Sequence, residues 1–239
     1  MYLSIYLAFN RCINLNYRTK MSIAQNIIPI TAALQGSNCQ LVAVTKTRSV
    51  DELQSAYAVG LRLFGENRVQ EMQEKQPLLP ADIQWHLIGH LQTNKVKYIA
   101  PYVAMIHSVD SLALLQEINK QAKKYNRIIA CLLQIFIATE ETKFGLNEEE
   151  AEAILASELI KTFENINIVG FMGMASNTDN QNQVRTEFRS LKSIADTLSA
   201  KYHAFNINLT EISMGMSGDY AIAIEEGSTL IRVGSALFS

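Results

Sequence analysis

From Gln40 onward the chain alternates short apolar runs with longer stretches whose apolar residues recur every three or four positions. The short runs, such as Leu41-Val42-Ala43-Val44 and Ile128-Ile129-Ala130-Cys131-Leu132-Leu133, are nearly continuous. That is the pattern of strands covered on both faces. They predict strands over residues 40–46, 61–67, 83–89, 103–109, 128–137, 166–175, 211–216 and 230–238. The amphipathic stretches predict helices over about 50–59, 68–76, 92–99, 111–125, 148–163, 181–202 and 218–226. Ser49 with Glu52, and Asn147 with Glu150, have the spacing of reciprocal side-chain caps at a helix start. Gly60 and Gly227 stand where helices should stop.

Eight strand–helix units of about 25 residues each fit a compact (β/α)8 barrel. A doubly wound open sheet is the competing arrangement, but it rarely needs eight evenly spaced units. No Pro/Gly/Ser-rich linker divides the chain, so one domain is expected over residues 21–239. Residues 22–35 read as an additional outer helix, and no helix is expected after strand eight. The apolar stretch from Met1 to Phe9 has no positive charge before it and no small-residue cleavage site after it. Residues 1–20 are therefore expected to be a disordered extension or a misassigned start, with Met21 just ahead of the first helix.

Composition narrows the function classes. Hydrophobic residues make up 48% of the chain and charged residues 18%, enough apolar side chain for a sizeable core. A net charge of −2 and the lack of any long basic run argue against nucleic acid. The apolar N-terminal stretch is too short to span a bilayer, so no membrane is expected. Cys12, Cys39 and Cys131 are odd in number and far apart, which argues against a disulfide framework and fits the cytoplasm. His86 and His90 have i,i+4 spacing but fall across a strand and its turn, so no metal is expected. His107 and His203 read as incidental.

The candidate chemistry lies at the strand ends, because the C-terminal ends of barrel strands face one mouth. Lys46 ends strand one, Asn67 strand two, and Ser217 follows strand seven. Arg232 and Gly234, followed by Ser235, belong to strand eight. The loops after strands seven and eight are the usual phosphate site of such barrels, and Ser217 is expected at a helix start, where N–H groups point at an anion. A partly desolvated lysine can condense with a carbonyl. Taken alone, Lys46 is more simply a surface residue and Ser217 a helix cap. Arg232, inside Leu230-Ile231-Arg232-Val233, needs an anion or another acceptor, since an unpaired buried guanidinium is costly.

Val44-Thr45-Lys46-Thr47, Phe64-Gly65-Glu66-Asn67, Trp85-His86-Leu87-Ile88-Gly89, Leu91-Gln92-Thr93-Asn94-Lys95, Ser213-Met214-Gly215-Met216-Ser217 and Gly227-Ser228-Thr229-Leu230-Ile231-Arg232-Val233-Gly234 occur in order. Together they resemble the pyridoxal phosphate homeostasis proteins, the YggS/PROSC family, over about residues 40–238. The resemblance implies a single alanine-racemase-type barrel (fold type III) without the second β domain of the racemases, holding pyridoxal 5′-phosphate. It implies Lys46 as the Schiff-base lysine and Ser217, Gly234 and Ser235 around the phosphate. Arg232 would face the pyridine nitrogen, and Asn67 would line the pocket. The implied role is to carry or buffer the cofactor as a cytoplasmic monomer, with PLP-dependent apoenzymes as clients and no turnover of its own. An amino-acid racemase and an aldolase acting on sugar phosphates are the alternatives. Phe136 and Thr45 depart from the family, which often has asparagine and serine there.

Overall fold

The eight apolar runs form eight parallel strands that close on themselves in chain order. The computed structural model describes residues 22–139 and 145–239, so the expectation for residues 1–20 lies outside the described residues. The strands are β1 (Gln40–Val44), β2 (Leu63–Glu66), β3 (Gln84–Leu87), β4 (Val103–Val109), β5 (Ile129–Gln134), β6 (Ile166–Met172), β7 (Ile207–Ser213) and β8 (Leu230–Val233). Closure is made by β1 on β8, with Gln40 opposite Leu230 and Ala43 opposite Val233. The outer helices are α1 (Ile23–Leu34), α2 (Val50–Ala58), α3 (Val69–Lys75), α4 (Val96–Ile99), α5 (Leu112–Lys124), α6 (Glu148–Ala156), α7 (Gln181–Lys201), α8 (Tyr220–Glu225) and α9 (Ser235–Phe238).

The local signals account for many of these boundaries. Ser49 caps α2 and Asn147 caps α6, each accepting the N–H of a glutamate that accepts the cap N–H in return. Gly60 and Gly227 end their helices at φ 97° and 92°, the left-handed region in which glycine carries no Cβ penalty. The extra helix α1 is capped by Ser22 and Gln25 in the same reciprocal way. The buried Asn26 Nδ2 donates to Leu237 O and Ser239 O at 3.0 and 2.9 Å, which ties α1 to α9.

Several boundaries differ from the sequence pattern. Strand eight stops at Val233, and the apolar Ala236-Leu237-Phe238 turns into α9, because a short apolar run does not by itself separate strand from buried helix. A helix therefore does follow strand eight. β7 begins at Ile207, four residues before the pattern suggests, and the helix expected over 148–163 ends at Ala156 with a separate 3₁₀ turn at Ile160–Thr162.

The apolar residues divide into two bodies. A large cluster lies between the sheet and the helices, and a smaller one fills the barrel interior around Val42, Leu132, Met172 and Leu230, with Leu63, Met105, Val169 and Met174 packed against it. A bulge decides which β6 residues join the plug. The β5–β6 register shifts and Gly170 sits at φ 152°, where a Cβ would stand 1.8 Å from Glu211 O. An extra residue reverses the side-to-side alternation of a strand. Phe171 therefore joins the outer core, and Met172 and Met174 turn inward. The plug closes the barrel beneath its C-terminal mouth.

Candidate functional site

Above the plug, the strand ends and their loops enclose a cleft of about 370 Å³. Lys46, Asn67, Ser217, Arg232, Gly234 and Ser235 all line it, although they lie up to almost the whole length of the barrel apart in sequence. Val44 and Ile88 supply apolar wall, and Met174 and Met216 flank them. Among the described residues, the lining includes Lys46, Arg48 and Arg232 and no carboxylate, so its field suits an anion. A neighbouring hollow of about 440 Å³ shares Met174, Met216 and Gly218 but has Asp179 and Asp219 as its charged lining, which suits an anion far less.

Two placements correct the sequence expectation. Lys46 lies in a turn just past β1, which ends at Val44. The ladder reaches Thr45, whose N–H donates to Gly65 O at 2.9 Å. Lys46 is therefore exposed at the rim rather than held within the strand. Ser217 is not at a helix start, since α8 begins at Tyr220 behind Asp219. Its Oγ instead accepts the N–H groups of Gly234 and Ala236, both at 3.2 Å, and so joins the loops after β7 and β8. Gly234 packs closely on the cleft wall, where a Cβ would stand 3.2 Å from Val44 Cβ. Phe136 does not line the cleft; its N–H donates to Leu146 O at 2.9 Å.

Arg232 is 3% exposed yet borders the cleft. Its Nη1 donates to Ser213 Oγ at 2.6 Å and its Nη2 to Gly173 O at 3.0 Å. The chain continues across the barrel: His107 Nδ1 lies 3.0 Å from Ser213 Oγ, and His86 Nδ1 lies 3.0 Å from His107 Nε2. A guanidinium can only donate, so Ser213 accepts from Arg232. Beyond Ser213 the chain runs in either direction with the tautomers of the two rings, and in both directions each ring is neutral. Burial pushes both well below the usual histidine range, His86 to about 4. The Arg232 charge lowers His107 further, as would a proton on His86. Burial also lowers the Arg232 guanidinium, to about 10, which leaves it protonated at neutral pH.

In the sequence His107 reads as incidental and Ser213 only as part of a motif, yet Ser213 holds Arg232 and His107 holds Ser213. The signal was there in part, since each polar residue sits within a strand otherwise made largely of core. Thr45, Glu66 and Lys75 were missed in the same way. Among the described residues, no group of three His, Cys, Asp or Glu side chains is placed to hold a metal ion, and no helix is long and apolar enough to cross a membrane.

This barrel, with an amine and a guanidinium at one mouth, has the architecture of the pyridoxal-phosphate racemases, and residues 20–239 match the alanine racemase N-terminal domain family. The pyridoxal phosphate homeostasis protein of Aquifex aeolicus is 39% identical over 85% of this chain and 88% of its own length. The chain belongs to that family of pyridoxal phosphate homeostasis proteins. Among solved structures, PipY of Synechococcus elongatus PCC7942 with PLP bound superposes with a TM-score of 0.82 at 34% identity, covering 91% of this chain and all of PipY. Alanine racemase from Bartonella henselae shares the fold at 16% identity and a TM-score of 0.66, and this chain covers 57% of that longer one.

Proposed function

We propose that the chain holds pyridoxal 5′-phosphate in the cleft, bound reversibly to Lys46, and serves as a carrier or buffer of that cofactor. The observation that carries this reading is the convergence of Lys46, Arg232 and the Ser217–Gly234–Ser235 loops on one cation-lined cleft. The solved relative PipY, which has PLP bound, supports the choice of ligand.

The residues present fit the group. The joined loops after β7 and β8 hold Ser217 Oγ where it already collects two backbone N–H groups, and a phosphate there is offered the same donors and the hydroxyl. Gly234 keeps the wall thin enough for a close backbone approach. Arg232, fixed by Ser213 and Gly173, presents donors and no acceptor, so it matches an unprotonated ring nitrogen. Asn67 adds an amide to the lining. Bound pyridoxal phosphate supplies an aldehyde carbon, which condenses with an unprotonated primary amine with loss of one water and is freed when water adds back.

The same residues argue against turnover. A donor that keeps its own proton cannot protonate the ring nitrogen, so Arg232 leaves the ring a weak electron sink. Lys46 and Ser235 are exposed, so the mouth does little to exclude water. Holding and releasing suits such a site better than sequestering a reactive species. The expected setting is a cytoplasmic monomer that passes the cofactor to PLP-dependent apoenzymes.

In the test, protein loaded with pyridoxal phosphate is mixed with an apo-aminotransferase and, separately, with L-amino acids. The proposal expects recovery of aminotransferase activity and no racemisation above free cofactor. Racemisation that exceeds free cofactor and depends on Lys46 would establish the racemase reading instead. A second expectation concerns Arg232→Met, which removes one charge-assisted hydrogen bond, about 1.5–3 kcal/mol. Affinity for pyridoxal phosphate in a fluorescence titration should fall at least about tenfold. Stability should change little, because the variant also removes a buried charge. Unchanged affinity would rule out a contact between Arg232 and the cofactor.

A further inference from the structure

Behind the turn that carries Lys46, on the helix side of the barrel wall, lies an ionic cluster outside the cleft. Thr45 and Glu66 are fully buried and Lys75 is 8% exposed. The Lys75 ammonium spends its three protons on Thr45 O at 2.8 Å, Glu66 Oε1 at 2.7 Å and Glu71 Oε2 at 3.1 Å. Thr45 Oγ1 donates to the same Glu66 Oε1 at 2.7 Å. Glu71 Oε2 also accepts the backbone N–H of Thr47 at 2.8 Å. Both neighbours of Lys46 are therefore gripped by one cluster, anchored on β2 and α3.

The grip has a conformational consequence. Thr47 sits at φ 61°, a left-handed conformation that is unusual for a β-branched residue. Such strain persists only where the surroundings over-determine it. The Glu71 carboxylate on the Thr47 N–H and the Lys75 ammonium on the Thr45 carbonyl supply that determination. Burial works against the ionised Glu71, but the Thr47 N–H and Lys75 outweigh it and hold its carboxyl below the usual range. The site itself gives no other reason for three buried or half-buried charges to gather here, since none of them lines the cleft.

We propose that Lys75, Glu66 and Glu71 form a clamp that positions the Lys46 amine, with Thr45 and Thr47 as its two handles. Lys75 and Glu71 are positioning residues that never touch the cofactor. This rests on the cofactor reading above, because it assigns the clamp a role in covalent capture at Lys46. A misplacement of about 1 Å in a reacting group costs up to about 100-fold in rate, so a loosened turn should show first in the rate of capture.

The test uses Glu71, which is half-buried, because removing Lys75 would strand the fully buried Glu66 carboxylate and endanger folding. Glu71→Ala and Glu71→Gln are compared with wild type for the rate at which added pyridoxal phosphate becomes fixed to Lys46 by borohydride. Affinity for pyridoxine 5′-phosphate is measured alongside, since this analogue has an alcohol in place of the aldehyde and cannot bond to the amine. Glu71→Ala is expected to capture pyridoxal phosphate about tenfold more slowly, with analogue affinity within about twofold of wild type. Glu71→Gln, whose amide oxygen still accepts the Thr47 N–H, should recover most of the rate. Capture by Glu71→Ala at the wild-type rate would overturn the clamp. So would equal losses for cofactor and analogue without rescue by Gln, which would mark a merely structural role. Failure of the wild-type protein to capture the cofactor would instead count against the cofactor reading itself.

Discussion

Lys46→Ala protein is expected to lose the visible-range absorption of the bound cofactor and to hold pyridoxal phosphate about 100-fold more weakly, equivalent to about 3 kcal/mol. The variant removes the one lysine that lines the cleft among the described residues and leaves the Ser217, Gly234 and Ser235 loops intact. Binding should therefore weaken to that of the non-covalent contacts rather than vanish. Lys46 is exposed and outside any strand, so thermal stability should stay within about 0.5 kcal/mol of wild type. Affinity for pyridoxine 5′-phosphate should be nearly unchanged, because that ligand makes no bond to the amine. Equal weakening toward both ligands would mean that Lys46 acts by charge alone.

The second large effect is on stability in mild acid. His86 is buried and neutral, with its pKa pushed down to about 4, and burial lowers His107 in the same direction. In the unfolded chain a histidine takes up a proton near pH 6.5. Below that pH the unfolded state binds more protons than the folded one, so stability falls as pH falls, and the loss from His86 is complete only below about pH 4. Each ring then contributes a slope of up to about 1.4 kcal/mol per pH unit, or about 2 kcal/mol between pH 7 and pH 5. Glu66 works the other way, since burial raises its carboxyl despite the hydrogen bonds from Lys75 and Thr45. Most of the other shifted carboxyls, such as Glu71, Glu187 and Glu226, are lowered and act only below the ordinary carboxylate range. Urea unfolding followed from pH 7 to pH 5 should therefore show a steep loss, with proton uptake on unfolding in the same window. A flat profile would show that the histidine chain is not neutral and buried as placed.

The barrel was legible because strand burial on both faces writes itself as continuous apolar runs. The shared direction of parallel strands then brings Lys46, Asn67, Ser217 and Arg232 to one end without knowledge of any contact. What escaped was whatever depends on phase and partnership across the barrel. The Arg232–Ser213–His107–His86 chain needs the register of β8, β7, β4 and β3 together. A polar residue inside an apolar strand marks His107, but no local pattern names the partners it links. The Glu66–Lys75 pair needs the α3 helix laid over the end of β2. Gly170 gives no sign in the sequence of the bulge that turns Met172 and Met174 into the barrel. The helix α9 was hidden because Ala236, Leu237 and Phe238 are equally apolar in a strand or a buried turn of helix.

The most direct test of the account is a mass map of wild-type protein saturated with pyridoxal phosphate and reduced with borohydride, which converts a carbon–nitrogen double bond into a stable single bond. The account predicts one pyridoxyl group on the peptide that contains Lys46. An unmodified Lys46 under saturating cofactor, with the adduct on another lysine or on none, would contradict it.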